Sequence, residues 1–200
     1  MPTNHKVLIF GGSFSPPTIA HEAIIRACLA MPEFTEVWLL PSGDRLDKEV
    51  AMDGHQRLAM LELVKQADFA SDPRLVISDF ELSLPRPTQT YQTVAALKDT
   101  FPEIDFWFVY GADSYLSMPD WPHGAELQRS LRMLVFGSLA RTLPANVHYI
   151  KIDEYADVSS TQARAALARG DSLDGLVSPA VARYLSSRSN PEFPGLPSAE

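Results

Sequence analysis

Cysteine is almost missing: Cys28 is the only one in 200 residues. A disulfide framework is therefore excluded, and the thiol reads as a small buried hydrophobe on a helical face. Long apolar runs are missing too. The longest are of strand length, so no secretory leader or membrane span is expected, and a cytoplasmic address is the default. Cations are in deficit, with 17 Lys and Arg against 25 Asp and Glu, a net charge of −8 and a pI near 5.1. That balance excludes a surface built to coat nucleic acid but leaves room for a local pocket that takes a small anion. Repeats, an inter-domain linker and a metal-ligand cluster are also absent from the pattern.

What is present is an ordinary core. Hydrophobic residues make up 46 % of the chain and charged residues 21 %, enough for one domain over residues 1–188. Strand-like apolar runs fall at Val7–Phe10, Val37–Pro41, Leu75–Leu82, Asp105–Gly111, Arg132–Gly137 and Val147–Ile152. Several are apolar almost without interruption, as strands covered on both faces are. Helical spacing marks Ala20–Ala30, His55–Ala67, Thr90–Thr100, Ser160–Arg169 and Pro179–Ser187. Strand alternating with helix predicts an α/β, Rossmann-like, doubly wound parallel sheet with helices on both faces. Residues 189–200 carry three prolines and no periodicity, which predicts a flexible tail. In such a sheet the ligand site lies beyond the carboxyl ends of the strands, where strand order reverses.

The first strand–turn–helix is "KVLIFGGSFSPPTIAHEAIIRACLA". Gly11 and Gly12 follow the strand and are expected to let backbone N–H groups approach an anion. The helix behind them adds unpaired amides and a partial positive charge. Thr18 and His21 are three residues apart and so share one face of the helix start. Thr18 is a good N-cap. His21 beside helix-end amides is suited to give a ring N–H to a phosphate oxygen.

"GGSFSPPTIAH" resembles the (His/Thr)-x-Gly-His signature of the nucleotidyltransferase superfamily, and "VSSTQAR", residues 158–164, is similar to its second signature. "PSGDRLDK", "HQRLAML", "RPTQTYQTVAALK" and "YGADSYLSMPDW" fall between them in the order of one branch, the bacterial nicotinate-mononucleotide adenylyltransferases. The pattern departs at Ser13, Ser15, Thr18 and Ala20, where that branch usually has Thr, Asp, His and Gly, and also at Asp47 and Gln89.

The resemblance implies transfer of AMP from ATP to nicotinate mononucleotide, with Mg²⁺ carried on the ATP phosphates. It implies His21, Thr18 and Arg164 as catalytic residues on the phosphates. Gly11, Gly12, Ser13, Gly111, Asp113, Ser160, Thr161 and Lys48 would hold ATP, and Thr90, Trp121 and Arg57 the acceptor. Each also has a plainer reading: Asp113 as a helix N-cap, Trp121 as core packing, Lys48 and Arg57 as solvated charges. His5, His55, His123 and His148 receive no role. Two rival functions stand beside the first: a sister enzyme using nicotinamide mononucleotide or another phosphate acceptor, and an inactive nucleotide-binding homologue. No nucleic-acid or membrane partner is expected, and homo-oligomerisation is left open.

Overall fold

In the computed structural model the described residues are 5–43, 51–137, 143–150, 152 and 157–188. Six strands form one parallel sheet: β1 (Lys6–Gly12), β2 (Glu36–Pro41), β3 (Leu75–Ile77), β4 (Asp105–Gly111), β5 (Arg132–Phe136) and β6 (Val147–Ile150), in the order β3-β2-β1-β4-β5-β6. The chain moves outward from β1 to β3, then returns to lay β4 on the other side of β1. That reversal opens a crevice at the carboxyl ends of β1 and β4.

Alternation along β1 explains why both faces need helices. Leu8 and Phe10 enter one core and Val7 and Ile9 the other. On the first face lie α1 (Ile19–Leu29), α2 (Gly54–Asp68), α6 (Ser160–Arg169) and α7 (Pro179–Arg188), through residues such as Ile25, Met60, Ala163 and Val181. On the second lie α3 (Thr90–Thr100), α4 (Ala112–Ser117) and α5 (Gly124–Ser130), through Leu97, Tyr115 and Leu127. No helix among the described residues is long and apolar enough to cross a membrane.

Three features differ from expectation. β3 ends at Ile77, and Glu81–Ser83 form a 3₁₀ turn instead of continuing the strand. There the Ser83 N–H closes on Asp79, while the Glu81 carboxylate takes the Gly43 N–H at 3.0 Å. The glycine pair belongs to β1, and neither residue has a positive φ. α4 and α5 are short helices around Pro119 and Pro122, and the sequence pattern did not mark them. Lys48, Asp47, the end of the expected Val147–Ile152 strand at 151, and the tail 189–200 lie outside the described residues or at their edge.

Candidate active site

Between β1 and α1 the chain folds under itself. Phe14 takes a left-handed conformation, φ 46°, and is fully buried. Its ring packs edge-on to Phe10 at 5.4 Å and beneath the His21 imidazole at 5.1 Å. Here a glycine eases the packing: a Cβ on Gly12 would meet the Phe14 ring at 3.3 Å, a tight contact. A Cβ on Gly11 would meet nothing nearer than the Leu40 carbonyl at 3.9 Å. The pair is thus divided, with Gly12 making room for Phe14 and Gly11 left open at the strand's end.

Thr18 is the N-cap of α1 and His21 its third residue. The Thr18 N–H donates to His21 Nδ1 at 3.0 Å, and the Thr18 hydroxyl lies 2.7 Å from the same nitrogen. An amide N–H can only donate, so Nδ1 is the unprotonated nitrogen and the ring proton sits on Nε2. Burial lowers the His21 pKa from 6.5 to about 4. The imidazole is therefore a neutral N–H donor at physiological pH. Thr18 itself is fully buried. In this structure its hydroxyl is engaged with the histidine.

The second helix start meets the same loop. Ser159 caps α6 and accepts the Gln162 N–H at 3.3 Å. The Ser160 hydroxyl donates to the Pro16 carbonyl at 2.8 Å. Arg164 donates through Nη1 to the Ser15 carbonyl at 2.7 Å and through Nη2 to Thr161 Oγ1 at 3.1 Å, using two of its five N–H donors. His21 and Arg164 thus attach to two ends of one four-residue stretch, Ser15 to Thr18. Ser160 is engaged through its hydroxyl and so acts on the loop.

Beside this loop lies a cavity of about 650 Å³, of the size that takes a nucleotide fragment. Gly11, Gly12 and Ser13 line it, as do Thr90, Tyr110 and Trp121. Trp121 stands edge-on to Tyr110 at 6.0 Å. The Tyr110 hydroxyl is pushed above its ordinary pKa by burial and by the Glu81 carboxylate, so it is a neutral donor there. Gly111 ends β4 and caps α4. Asp113 is exposed in the first turn of α4, one turn past the strand, and is not the cap.

Arg57 departs furthest from its expected place. It is 1 % exposed and does not line the cavity. Its guanidinium donates to three backbone carbonyls: Met52 at 3.1 Å, Ser13 at 3.1 Å and Ser42 at 2.7 Å. It braces from behind the stretches at Ser13 and Ser42, which do line the cavity. Ser42 carries no signal in the sequence. It lines the cavity, is 9 % exposed, and its hydroxyl has no hydrogen-bond partner among the described residues. A buried hydroxyl of this kind is one that a ligand oxygen would satisfy. Nothing in "LLPSGD" distinguishes that serine from any other loop residue.

A doubly wound sheet with two capped helix starts joined over a glycine loop defines a nucleotide-binding α/β protein. The comparisons narrow this. A family model described as cytidylyltransferase-like matches residues 9–166. A protein of Shouchella clausii named probable nicotinate-nucleotide adenylyltransferase is 30 % identical over 92 % of this chain and 95 % of its own length. One of the same name from Bacteroides fragilis is 31 % identical over 92 % and 93 %. Among solved structures, a Plasmodium falciparum nicotinic acid mononucleotide adenylyltransferase complexed with NaAD superposes with a TM-score of 0.81 at 21 % identity, covering 94 % of this chain and 98 % of that one. The chain belongs to the cytidylyltransferase-like family.

Proposed function

We propose that this protein transfers AMP from ATP to nicotinate mononucleotide, releasing pyrophosphate and forming the deamidated dinucleotide. The observation that carries the reading is the junction of two sites. A loop held by both α1 and α6 follows directly on Gly11–Ser13, which line a cavity that Thr90 and Trp121 also line. The relatives named for this reaction support the choice of acceptor.

The acceptor phosphate is ionised at neutral pH, so the chain needs no side-chain nucleophile. Its work is alignment and the stabilisation of charge moving onto the leaving pyrophosphate. His21 gives its Nε2–H to a phosphate oxygen, and Thr18 holds the ring and its tautomer. Arg164, already at the loop, turns its remaining donors to the outer phosphates. Gly11, Gly12 and Ser13 approach the triphosphate with backbone, as do the α6 amides at Ser160 and Thr161. Gly111 and Asp113 lie on the adenosine side, the carboxylate accepting from a ribose hydroxyl, and Lys48 adds charge near the phosphates. In the cavity Trp121 stacks on the pyridine ring, Thr90 lies beside its substituent, and Ser42 donates to the acceptor.

The donor set suits a metal carried in on the nucleotide: neutral and cationic N–H donors meet the phosphate oxygens, and no described carboxylate, imidazole or thiol group gathers with two others. Mg²⁺ bound with ATP supplies charge neutralisation of the triphosphate. ATP as donor goes with a cytoplasmic setting.

The test is a panel in which ATP and Mg²⁺ are offered with nicotinate mononucleotide, nicotinamide mononucleotide and phosphopantetheine, following pyrophosphate release. Release with the first, at a higher kcat/KM than with the others, is expected. A preference for either of the others would replace the acceptor named here.

A further inference from the structure

Two stretches that line the cavity come from distant parts of the chain, the start of α3 and the turn at Met118–Gly124. The turn is tied to itself. Trp121 N–H donates to the Met118 carbonyl at 2.9 Å, and Gly124 N–H to the Trp121 carbonyl at 2.8 Å. It is tight enough that a Cβ on Gly124 would lie 1.7 Å from the Met118 oxygen. His123 occupies the left-handed region, φ 57°, as the cap of α5. Among the described residues no hydrogen bond joins this turn to α3. What spans the gap is a ring contact: the imidazole of His123 and the phenol of Tyr91, 4.3 Å between centroids and inclined by 43°. Each is one residue beyond a cavity-lining residue, Tyr91 after Thr90 and His123 after Pro122. Tyr91 is half-buried against the second core, so it is the fixed partner. The His123 side chain is more than half exposed, with a Glu126 carboxylate oxygen 3.7 Å from its Nδ1.

We infer that Tyr91 and His123 form a clasp across the mouth of the acceptor cavity, holding the Trp121 face at a set distance from the start of α3. They are positioning residues, and His123, given no role by the sequence, acquires one. A ring sandwiched between Trp121 and the α3 start is bound only if that spacing matches its thickness and the reach of its substituent. The clasp fixes the spacing before the acceptor arrives and so reduces the ordering that binding must accomplish. ATP meets the loop and α6, not these walls, so the clasp bears on one substrate and not the other. This inference rests on the assignment of the cavity to the acceptor.

Four measurements test it. Tyr91→Ala and His123→Asn each remove one ring, and asparagine tolerates the left-handed backbone. Each is expected to raise the KM for nicotinate mononucleotide about fivefold, the scale of one aromatic contact, with KM for ATP and kcat within about twofold. The double variant is expected to be no worse than either single one, since a contact can be lost only once. Tyr91→Phe, which keeps the ring, is expected to restore the wild-type KM. An unchanged acceptor KM, equal effects on both substrates, or a double variant in which the two effects multiply would each overturn the clasp. Amide hydrogen exchange in the absence of any nucleotide reads it independently of the reaction. Exchange at Trp121 and Gly124 is expected to quicken in Tyr91→Ala, and unchanged exchange would refute the contact's part in holding the turn. If the wild-type protein transfers nothing to nicotinate mononucleotide, the proposed function fails, and the exchange experiment still decides the clasp.

Discussion

His21 is assigned to the reaction as a neutral donor, which makes its dependence on pH calculable. An imidazole with the ordinary pKa of 6.5 would be about nine-tenths protonated at pH 5.5, whereas one at about 4 is protonated only to about 3 %. The perturbation is acid, and the reference is His21→Gln, a neutral N–H donor that does not titrate in this range. Dividing wild-type kcat by that of His21→Gln at each pH removes the titration of the acceptor phosphate, which both proteins share. The ratio is expected to stay flat, within about twofold, from pH 8 to 5. An ordinary histidine whose protonated form is inactive would change it about tenfold between pH 7.5 and 5.5, and that result would refute the lowered pKa. The same depression acts on stability with a definite sign. The folded-state value lies below the unfolded one, so its contribution is complete above pH 6.5 and is lost as pH falls toward 4, by at most about 3 kcal/mol. Chemical denaturation of the wild type and His21→Gln at pH 7.5 and 4.5 should therefore show the wild type losing more.

His21→Ala should lower kcat by roughly 10²-fold, as loss of a transition-state donor does; unchanged turnover would take His21 out of the reaction. Arg57→Met leaves the Met52, Ser13 and Ser42 carbonyls buried without their donor, so it should cost about 3 kcal/mol and on the order of 10 °C in melting temperature; a stable variant with a selectively weakened acceptor KM would return Arg57 to direct binding. Glu22 is buried in α1 with its pKa raised, first by burial and then by Asp68, against opposing effects of Ser178 and Arg26. A raised folded-state carboxyl gives its stability when protonated and loses it as pH climbs above the ordinary carboxyl range. Glu22→Gln should thus be more stable than wild type at pH 8, by on the order of 1 kcal/mol, with the difference shrinking toward pH 4; a difference that grows in acid would contradict this.

The sheet was legible because its strands are buried on both faces, and a continuous apolar run as short as Val7–Phe10, ended by glycines, suits a covered strand better than a helix. That Thr18 and His21 share one face of the helix start was legible for a similar reason, from their spacing of three, whereas the bonds from Thr18 to the His21 ring were not. What escaped depends on distant contacts. "VISDFEL" reads as one strand, yet Glu81 turns away to serve Gly43, thirty-eight residues before it. Arg57 reads as a surface cation until Ser13 and Ser42 supply carbonyls from two other segments. Phe14 looks like a loop residue, and only the close approach allowed by Gly12 makes it the floor under His21. The Tyr91–His123 contact joins residues thirty-two positions apart and has no local signature at all.

AMP transfer is checked without intermediaries by counting products. Protein, ATP, Mg²⁺ and nicotinate mononucleotide are incubated together, and the pyrophosphate and dinucleotide formed are quantified in the same sample. Transfer through one shared nucleotide site predicts the two in equal amounts, with both lost together in His21→Ala and Arg164→Ala. Pyrophosphate or phosphate released without dinucleotide, or product formed undiminished in both variants, would contradict it.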